Sequence, residues 1–325
     1  MREIIITENE AGQRFDKMLA KYLKEAPKSF LYKMLRKKNI VLNGKKATGN
    51  EKLQVKDSVK LFFAEETILK FSGEKLKIVD SNEKLDIIYE DQDVIFLNKP
   101  VGMLSQKAKD SDVSMVEHLI SYLVKSGQIT EEELVTFHPS ICNRLDRNTS
   151  GLIVAGKSLL GLQTMSQLFK ERTLEKYYLC LVQGRVEESQ KIDGFLTKDE
   201  RTNKVSISKE KRAGEDGEEI HTEYRPVKVS DEASLLEVHL ITGKTHQIRA
   251  HLASIGHPII GDYKYGQKKV NDRYKEIYGL QSQFLHSYRL VLPDLADSLP
   301  EISKKTFKAE MPTLFQKVAS GAGVL

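Results

Sequence analysis

The front of this chain contains two short apolar stripes at helical spacing, with a proline between them and an Asn-Gly pair after them. This pattern is compatible with few folds. Residues 12–24 place their apolar side chains on one helix face, and Pro27 breaks that pattern. A second helix is predicted to begin near Ser29, and the segment IVLNGKKA then predicts a strand with a hairpin turn at Asn43-Gly44. Two helices and a small sheet in so short a stretch indicate a compact domain of their own.

The positive charge of the chain is concentrated in this same segment. Residues 12–46 hold eleven Lys and Arg against two acidic residues, a net charge of +9, whereas all 325 residues together carry only +5. The remainder of the chain is therefore net negative. Such asymmetry indicates that one part of the protein contacts a polyanion, with a solvated lysine-rich surface as the alternative interpretation.

Composition narrows the class of protein. The chain is 40% hydrophobic, which is enough to bury a sizeable core, and no apolar run approaches the length that spans a bilayer. Acidic residues lie near the amino terminus, where a secretory signal would place its apolar core. Cys142 and Cys180 are the two cysteines, too few for a disulfide framework. We therefore expect a soluble cytoplasmic protein with no membrane partner.

Changes of pattern along the sequence predict the domain boundaries. We expect a small basic α/β domain over residues 1–65 and a charged linker over residues 66–85, where apolar residues are scattered. A larger domain is predicted over residues 86–315, opening with apolar strands on either side of an Asp-Gln-Asp turn. The last residues, 316–325, end in SGAGVL and are predicted to form a loose tail.

One candidate for chemistry is the segment SICNRLDRNTSGLIVAGKS. Arg144 and Asp146 would share a face if this stretch is extended, and Thr149-Ser150-Gly151 is typical of a turn. Taken alone, the segment is equally compatible with a surface ion pair beside a turn.

A second candidate is LEVHLITGKTHQIRAHLASIGHPIIGD. Its alternating strand ends at Thr242-Gly243, and Thr245 is predicted to cap a helix that buries Ile248. Its histidines suggest a metal, but His246 and His251 would lie about 140° apart around a helix and cannot share one ion on a common face. No metal is expected.

The front of the chain resembles the small RNA-binding domain named after ribosomal protein S-four. The matching residues are Arg14, Asp16, Leu19, Ser29, Leu35, Ile40, Val41, Asn43 and Gly44. In that family, two helices lay a basic face along folded RNA. The resemblance implies RNA contacts by Arg14, Lys28, Ser29, Lys33, Arg36, Lys37, Lys38 and Lys45.

The larger domain resembles the RluA-type pseudouridine synthases. The motifs RLDRNTSG, KYY, TGKTHQIRAHLASIGHPIIGD and FLHSYRL follow one another in that family's order and spacing, from about Tyr89 to Leu292. A basic front domain before them is the layout of the large-subunit ribosomal RNA synthases in the group, the RluC- and RluD-like enzymes. The resemblance implies an enzyme that isomerises specific uridines in RNA to pseudouridine without a cofactor, and large-subunit ribosomal RNA or a ribosome precursor is the expected substrate.

The resemblance also implies roles for individual residues. Asp146 would be the catalytic nucleophile, Tyr178 would stack on the uracil, and Arg249 would pair with the aspartate. The residues implied to contact the substrate are Arg144, which would help displace the target base, and Ile248, Lys99 and Leu285, which would shape the pocket. Two departures are Asn143 and Asn148, where family members usually have His and Asp.

The fold that the resemblance implies is of the α+β class. The small α/β domain would precede a catalytic domain with a mixed, largely antiparallel sheet, flanking helices and a central cleft, in a chain that acts as a monomer. The alternatives are an RNA methyltransferase, which would want a glycine-rich cofactor loop, a tyrosyl-tRNA ligase, a glycosidase with paired carboxylates, and a non-catalytic ribosome-assembly factor.

Overall fold

The computed structural model describes residues 1–72, 78–81, 83–199, 201–202, 204–211 and 217–325. Its first part contains β1 (Arg2–Ile5), α1 (Phe15–Tyr22), α2 (Lys28–Arg36), β2 (Ile40–Leu42), β3 (Lys45–Lys46), β4 (Ser58–Leu61) and α3 (Glu65–Ser72). The four strands form an antiparallel sheet in the order β1-β4-β2-β3.

The two predicted front helices form because their apolar residues fall on one face. Phe15, Met18 and Leu19 of α1 are fully buried against Leu31 and Leu35 of α2 in one apolar cluster. After α2 the chain enters the predicted hairpin, where Asn43 and Gly44 both adopt positive φ angles, 50° and 72°. Such a pair fits the two-residue turn that matches strand twist, so β2 and β3 pair directly.

The predicted linker is not a free connection where it is described. Its first residues continue α3, and Ile68 on that helix is fully buried in the front cluster. Ile78 and Leu85 pack instead against the core of the second part of the chain. Burial of these scattered apolar residues explains the correction, while residues 73–77 and 82 of the predicted linker lie outside the described residues.

The second part of the chain is built on one large sheet. Its strands are β5 (Ile87–Glu90), β6 (Val94–Lys99), β7 (Ser140–Ile141), β8 (Ser150–Gly156), β9 (Glu175–Gln183), β10 (Gln190–Asp199), β11 (Lys204–Ser208), β12 (Glu218–Val229), β13 (Ala233–Leu240), β14 (Leu285–Val291) and β15 (Thr306–Lys308). Its helices are α4 (Met115–Lys125), α5 (Leu159–Glu171), α6 (Gln247–Ser254), α7 (Lys268–Tyr278) and α8 (Thr313–Gly321).

Strand order confirms the predicted fold class. The sheet runs β11-β10-β12-β13-β9-β14-β8-β6-β5, with β15 beside β14 and β7 beside β8. Among the described strands, β14 and β8 pair in parallel and every other pair is antiparallel. Neighbouring residues of β6 face different apolar clusters, Ile95 on one side and Phe96 on the other, so this part of the sheet is covered on both faces.

The parallel pair β8–β14 needs a glycine at its start. Gly151 has a φ of +107°, and a Cβ at this position would lie 2.2 Å from the carbonyl oxygen of Ser287 on β14. Only a residue without a side chain permits that approach. Because residues 142–149 lead into Gly151, the contact fixes where the loop carrying Asp146 joins the sheet.

A buried contact joins the front domain to the second part of the chain. The hydroxyl of Thr136 donates a hydrogen bond of 2.5 Å to a carboxylate oxygen of Glu10, whose other oxygen accepts from the backbone of Thr7 at 2.9 Å. Val135 packs against the front apolar cluster. The segment around Thr136 continues into β7 and the Asp146 loop, so the front domain lies near the start of that loop.

The prediction of a loose tail at residues 316–325 is wrong. Residues 313–321 form α8, and Val318 and Val324 are fully buried in the main core. The ring of Phe315 stacks on that of Phe284, the residue directly before β14, with 4.2 Å between ring centroids. The small and apolar residues at the carboxyl-terminal end of the chain are therefore explained by close packing and not by disorder.

Replacing Phe315 tests this correction. Phe315→Ala should lower the free energy of unfolding by about 3–5 kcal/mol, because a buried aromatic ring is lost and a cavity remains. Leu314→Ala, on the exposed side of the same helix, should change it by roughly 0.5 kcal/mol or less. Denaturant unfolding measures both. Equal, small effects would mean that the end of the chain is loose after all.

Candidate active site

A cavity of about 830 Å³ opens where the 142–149 loop, β9 and the start of α6 meet. The loop joins β7 to β8, β9 lies in the middle of the sheet, and α6 follows the turn after β13. Six of the residues predicted to act in catalysis or to contact the substrate line this cavity: Arg144, Asp146, Tyr178, Ile248, Arg249 and Leu285. Side chains that are far apart in sequence therefore converge here.

Arg249 joins two carboxylates across the cavity wall. Its Nη1 donates to Oδ2 of Asp146 at 2.9 Å, while Nε and Nη2 donate to the two oxygens of Asp262 at 2.7 and 3.0 Å. The Asp262 side chain is fully buried, whereas 29% of the Asp146 side chain remains exposed. Burial opposes the charge of Arg249, but the hydrogen bonds to Asp262 and then the charge of Asp146 raise its pKa above the usual value.

Asp262 is the residue that the sequence analysis missed. It ends the HPIIGD segment and accepts further hydrogen bonds from the backbone N–H groups of Lys264 and Tyr265. These bonds fix the Asp262 carboxylate. Its two hydrogen bonds to Arg249 then fix the plane of the guanidinium. One nitrogen of Arg249 is then left to point at Asp146. The available signal was an aspartate at the end of an otherwise apolar and glycine-containing run.

The start of α6 brings a histidine close to the same carboxylate. His246 is the residue before the helix, with a left-handed φ of 55°, and its Nε2 lies 3.8 Å from Oδ2 of Asp146. Its Nδ1 shares a hydrogen bond of 3.0 Å with the hydroxyl of Tyr265. Burial lowers the pKa of His246, although Asp146 opposes the shift. The predicted cap at Thr245 is wrong, because the chain turns at His246 and no side chain caps the helix.

Tyr178 supplies a buried aromatic wall. It lies on β9 between Val238 of β13 and Ser287 of β14, and only 7% of the residue is exposed. Burial raises the pKa of its phenol to about 12, so the hydroxyl stays protonated at neutral pH. The ring can therefore offer an uncharged face to a flat ligand in the cavity.

Ile248 and Leu285 are buried cavity-wall residues, whereas Arg144 is exposed on the same wall. Arg144 lies outside any strand, because β7 ends at Ile141 and a bend at residues 142–143 precedes it, so the extended strand expected from the sequence is absent here. The neighbouring Asn143 accepts from the backbone N–H of Val154 at 2.8 Å and donates to the carbonyl of Leu152 at 3.2 Å. This asparagine anchors the loop to β8.

Lys99 lies beneath the cavity and not on its wall. The residue is fully buried, and its ammonium donates to the carbonyl oxygens of Pro100, Met103 and Arg147 at 2.9–3.0 Å. Burial lowers its pKa to about 7, with Asp146 opposing the shift. Lys99 therefore supports the loop that carries Asp146, in place of the substrate contact expected from the sequence.

Charge in the cavity wall is almost entirely positive. Among the described residues, Asp146 is the one carboxylate of the wall, and the basic residues are Arg144, Arg147, Lys170, Arg172, Lys176, Lys244 and Arg249. Such a surface favours a polyanionic ligand. The structure, over the residues that it describes, holds no cluster of three His, Cys, Asp or Glu arranged for a metal ion.

Comparison with known proteins identifies the family of this domain. The family model described as RNA pseudouridylate synthase matches residues 93–254, and a ribosomal large subunit pseudouridine synthase C from Vibrio vulnificus is 32% identical over 287 residues, 87% of this chain and 85% of the relative. The chain belongs to the RNA pseudouridylate synthase family. A ribosomal large subunit pseudouridine synthase D from Borreliella burgdorferi is 33% identical over 83% of this chain and 79% of its own length.

A solved structure shows the same fold. The human RNA pseudouridylate synthase domain containing 4 superposes with a TM-score of 0.57 at 21% identity, over 72% of this chain and 91% of that one. The pseudouridine synthase match spans Asp146, Tyr178 and Arg249 and ends before Asp262. The recognition from sequence motifs is therefore confirmed at the level of the family.

The residues expected to bind RNA at the front of this pseudouridine synthase are exposed. Arg14 is engaged in an ion pair with Asp16, which also accepts from the hydroxyl of Tyr32. The others make no ion pair with any described residue: Lys28, Lys33, Arg36, Lys37, Lys38 and Lys45. No helix in the described ranges has the length and apolarity needed to cross a bilayer.

Arg249→Met tests the bridge between the two carboxylates. It should lower the free energy of unfolding by about 3–5 kcal/mol, because Asp262 is left buried without its cation. Pseudouridine formation should fall at least ~100-fold, since Asp146 loses its positioning contact. Arg185→Met is the matched control, because Arg185 also pairs with two acidic residues but is exposed, and its loss should cost roughly 1 kcal/mol or less.

The double variant Arg249→Met/Asp262→Asn separates the two roles of the bridge. Removing both buried charges should recover part of the stability, measured by thermal or denaturant unfolding, without recovering turnover. Recovery of turnover in the double variant would show that the contact between Arg249 and Asp146 is dispensable.

Proposed function

We propose that this enzyme converts specific uridines of large-subunit ribosomal RNA to pseudouridine, with Asp146 as the catalytic nucleophile. The observation that supports this most directly is the position of Asp146. It is the one carboxylate among the described residues of a basic cavity wall, held by Arg249 and facing the same space as the buried ring of Tyr178. A negatively charged RNA and a carboxylate nucleophile both fit this arrangement.

The reaction needs each of these groups. The bond from ribose C1′ to ring nitrogen N1 breaks, the base turns, and C1′ is rejoined to ring carbon C5, which then loses its proton while N1 gains one. The target base must first leave its stack, and Tyr178 offers it an aromatic face. Arg144, exposed on the cavity wall, is suited to fill the space that the base vacates.

Asp146 has to be an anion whether it attacks the sugar or the base. The guanidinium of Arg249 at 2.9 Å favours that charge, and its fixed plane directs the Asp146 carboxylate. The nearby imidazole of His246 lies in the same pocket, where burial lowers its pKa and so favours the neutral form. All of the groups required for this isomerisation come from one chain and need no cofactor.

Ribosomal RNA as the substrate is supported by the relatives. The proteins from Vibrio vulnificus and Borreliella burgdorferi, each matched over most of its length, are named as large-subunit ribosomal pseudouridine synthases. We infer that this chain acts on the same class of RNA in the cytoplasm. Because Asp146, Tyr178 and Arg249 all come from one chain and line one cavity, we further infer that the monomer is active.

The front domain is proposed to hold the RNA through its basic helix and hairpin. Lys33, Arg36 and Lys37 are exposed on and just after α2, and their charges are not neutralised by acidic neighbours among the described residues. The contact between Thr136 and Glu10 keeps this domain close to the segment that leads to Asp146. RNA bound to the front domain would thereby be presented to the cavity.

Asp146→Asn tests the proposed chemistry. The change is nearly isosteric and removes only the charge, so pseudouridine formation should fall below detection, at least ~1,000-fold, while affinity for RNA is unchanged. Single-turnover assays on a large-subunit ribosomal RNA transcript measure the first and equilibrium binding the second. Asp272→Asn, on α7 outside the cavity, is the control and should retain full activity. Near-normal turnover in Asp146→Asn would refute the nucleophile, and a ribosome-assembly role would survive this change.

Neutralising the front domain tests its RNA contact. In the triple variant Lys33→Gln/Arg36→Gln/Lys37→Gln, the slope of log affinity against log salt should become shallower by about 2, since roughly 0.7–0.9 is lost with each phosphate contact. A triple variant with the same change of charge, Lys269→Gln/Lys275→Gln/Lys317→Gln, alters exposed lysines of α7 and α8. It should leave the slope nearly unchanged. Equal slopes in the two variants would assign RNA binding elsewhere.

A further inference from the structure

Lys176 is a buried lysine of the cavity wall that has no acceptor. Only 8% of the residue is exposed, and among the described residues its side chain donates no hydrogen bond and forms no ion pair. Two other lysines show what burial ordinarily requires. Lys99 donates to three carbonyl oxygens, and Lys157 pairs with Glu90 and donates to the carbonyl of Asp91, at 2.6 Å in each case. Most of Lys176 is withdrawn from water, and its ammonium, which still reaches the open cavity, has no acceptor in the described part of the wall, which is unfavourable for a charged group.

The surroundings of Lys176 increase this cost. Burial lowers the pKa of Lys176, and the positive charge of Arg172 lowers it further. Arg172 ends α5 in a left-handed conformation, with a φ of 61°, where glycine would be accommodated more easily. Both side chains line the same cavity as Asp146. Two cations lie on one wall and no acidic residue among those that the structure describes acts on Lys176, so the site lacks an anion.

The register of β9 relates this site to the target base. Lys176 and Tyr178 are two residues apart on one strand, so their side chains point to the same face, roughly 7 Å apart. The ammonium is directed toward the turn after β13, since Lys176 Nζ lies 4.0 Å from where a Cβ on Gly243 would be. An anionic group next to the base that stacks on Tyr178 would therefore reach Lys176.

We propose that Lys176, assisted by Arg172, binds a backbone phosphate of the RNA adjacent to the nucleotide whose base occupies the cavity. This assignment rests on the proposed function for the identity of the ligand. The phosphate supplies the missing negative charge, so the stability that the free protein loses by burying an unpaired lysine is recovered when RNA binds. The position of the phosphate also fixes the ribose between Lys176 and Asp146, which makes Lys176 a substrate-binding residue.

A pair of short RNA probes tests for the phosphate directly. Lys176→Met keeps the length and the apolar stem of the side chain and removes its charge. It should weaken binding of an oligouridylate by about tenfold, the effect of one charged hydrogen bond, and should leave binding of the uncharged methylphosphonate analogue unchanged. Lys176→Arg should retain most of the affinity for the charged probe. Lys317→Met, an exposed lysine of α8, is the control and should affect neither probe.

Thermal unfolding of the free protein gives an independent readout. Lys176→Met should melt at the same temperature as the wild type or higher, because an unpaired buried charge is removed. A lower melting temperature, or equal losses of affinity for both probes, would overturn the phosphate site in favour of a structural role. Unchanged affinity for both probes would overturn it as well.

The proposed function is tested separately by turnover. Wild-type protein that distinguishes the two probes through Lys176 but forms no pseudouridine in large-subunit ribosomal RNA would refute the substrate and leave the phosphate site intact. The opposite result is wild-type turnover together with unchanged affinity of Lys176→Met for each probe. It would support the proposed substrate and refute the phosphate site.

Discussion

The two-sided grip on Arg249 is the interaction on which the site depends. Asp262 is buried at the turn after α6 and holds two nitrogens of the guanidinium, and the third reaches Asp146 from a different part of the chain. A buried Arg249 without a carboxylate partner would destabilise the fold, and so would a buried Asp262 without its guanidinium partner. Their pairing makes a rigid cationic anchor out of two groups that are each unfavourable alone. Asp146, the proposed nucleophile, is thereby held by a contact from Arg249, which is itself fixed by Asp262.

The loop that carries Asp146 is held from its other side by backbone contacts. Lys99 donates to the carbonyl of Arg147, the residue directly after the aspartate, and Asn143 is hydrogen-bonded to β8. Gly151 then brings the chain against β14 at a distance that no side chain would allow. A loop without regular structure is thus anchored to the sheet on both sides of Asp146, as the proposed catalytic role of this residue requires.

The positive charges of the front domain and those of the cavity wall suit different kinds of contact with RNA. Exposed cations on the front domain suit contacts that are non-specific and sensitive to salt, because they remain hydrated and attract phosphates at a distance. Of the cavity-wall cations, Lys176 and Arg249 are buried, so their interactions with a bound anion are stronger and depend more on geometry. Under the proposed function, the front domain would provide affinity and the cavity would select one nucleotide.

The sequence by itself determined the family, the fold class and six residues of the cavity wall. Local patterns sufficed for α1, α2 and the Asn43-Gly44 hairpin, because helix periodicity and turn chemistry act between near neighbours. The motifs around Asp146, Tyr178 and Arg249 were sufficient to predict that these residues share one site. Tertiary structure decided what depends on burial: the partnership with Asp262, the supporting position of Lys99, the unpaired state of Lys176, and the helix at the end of the chain. Desolvation gives these charges and apolar residues their roles, and it is set by elements that are distant in sequence.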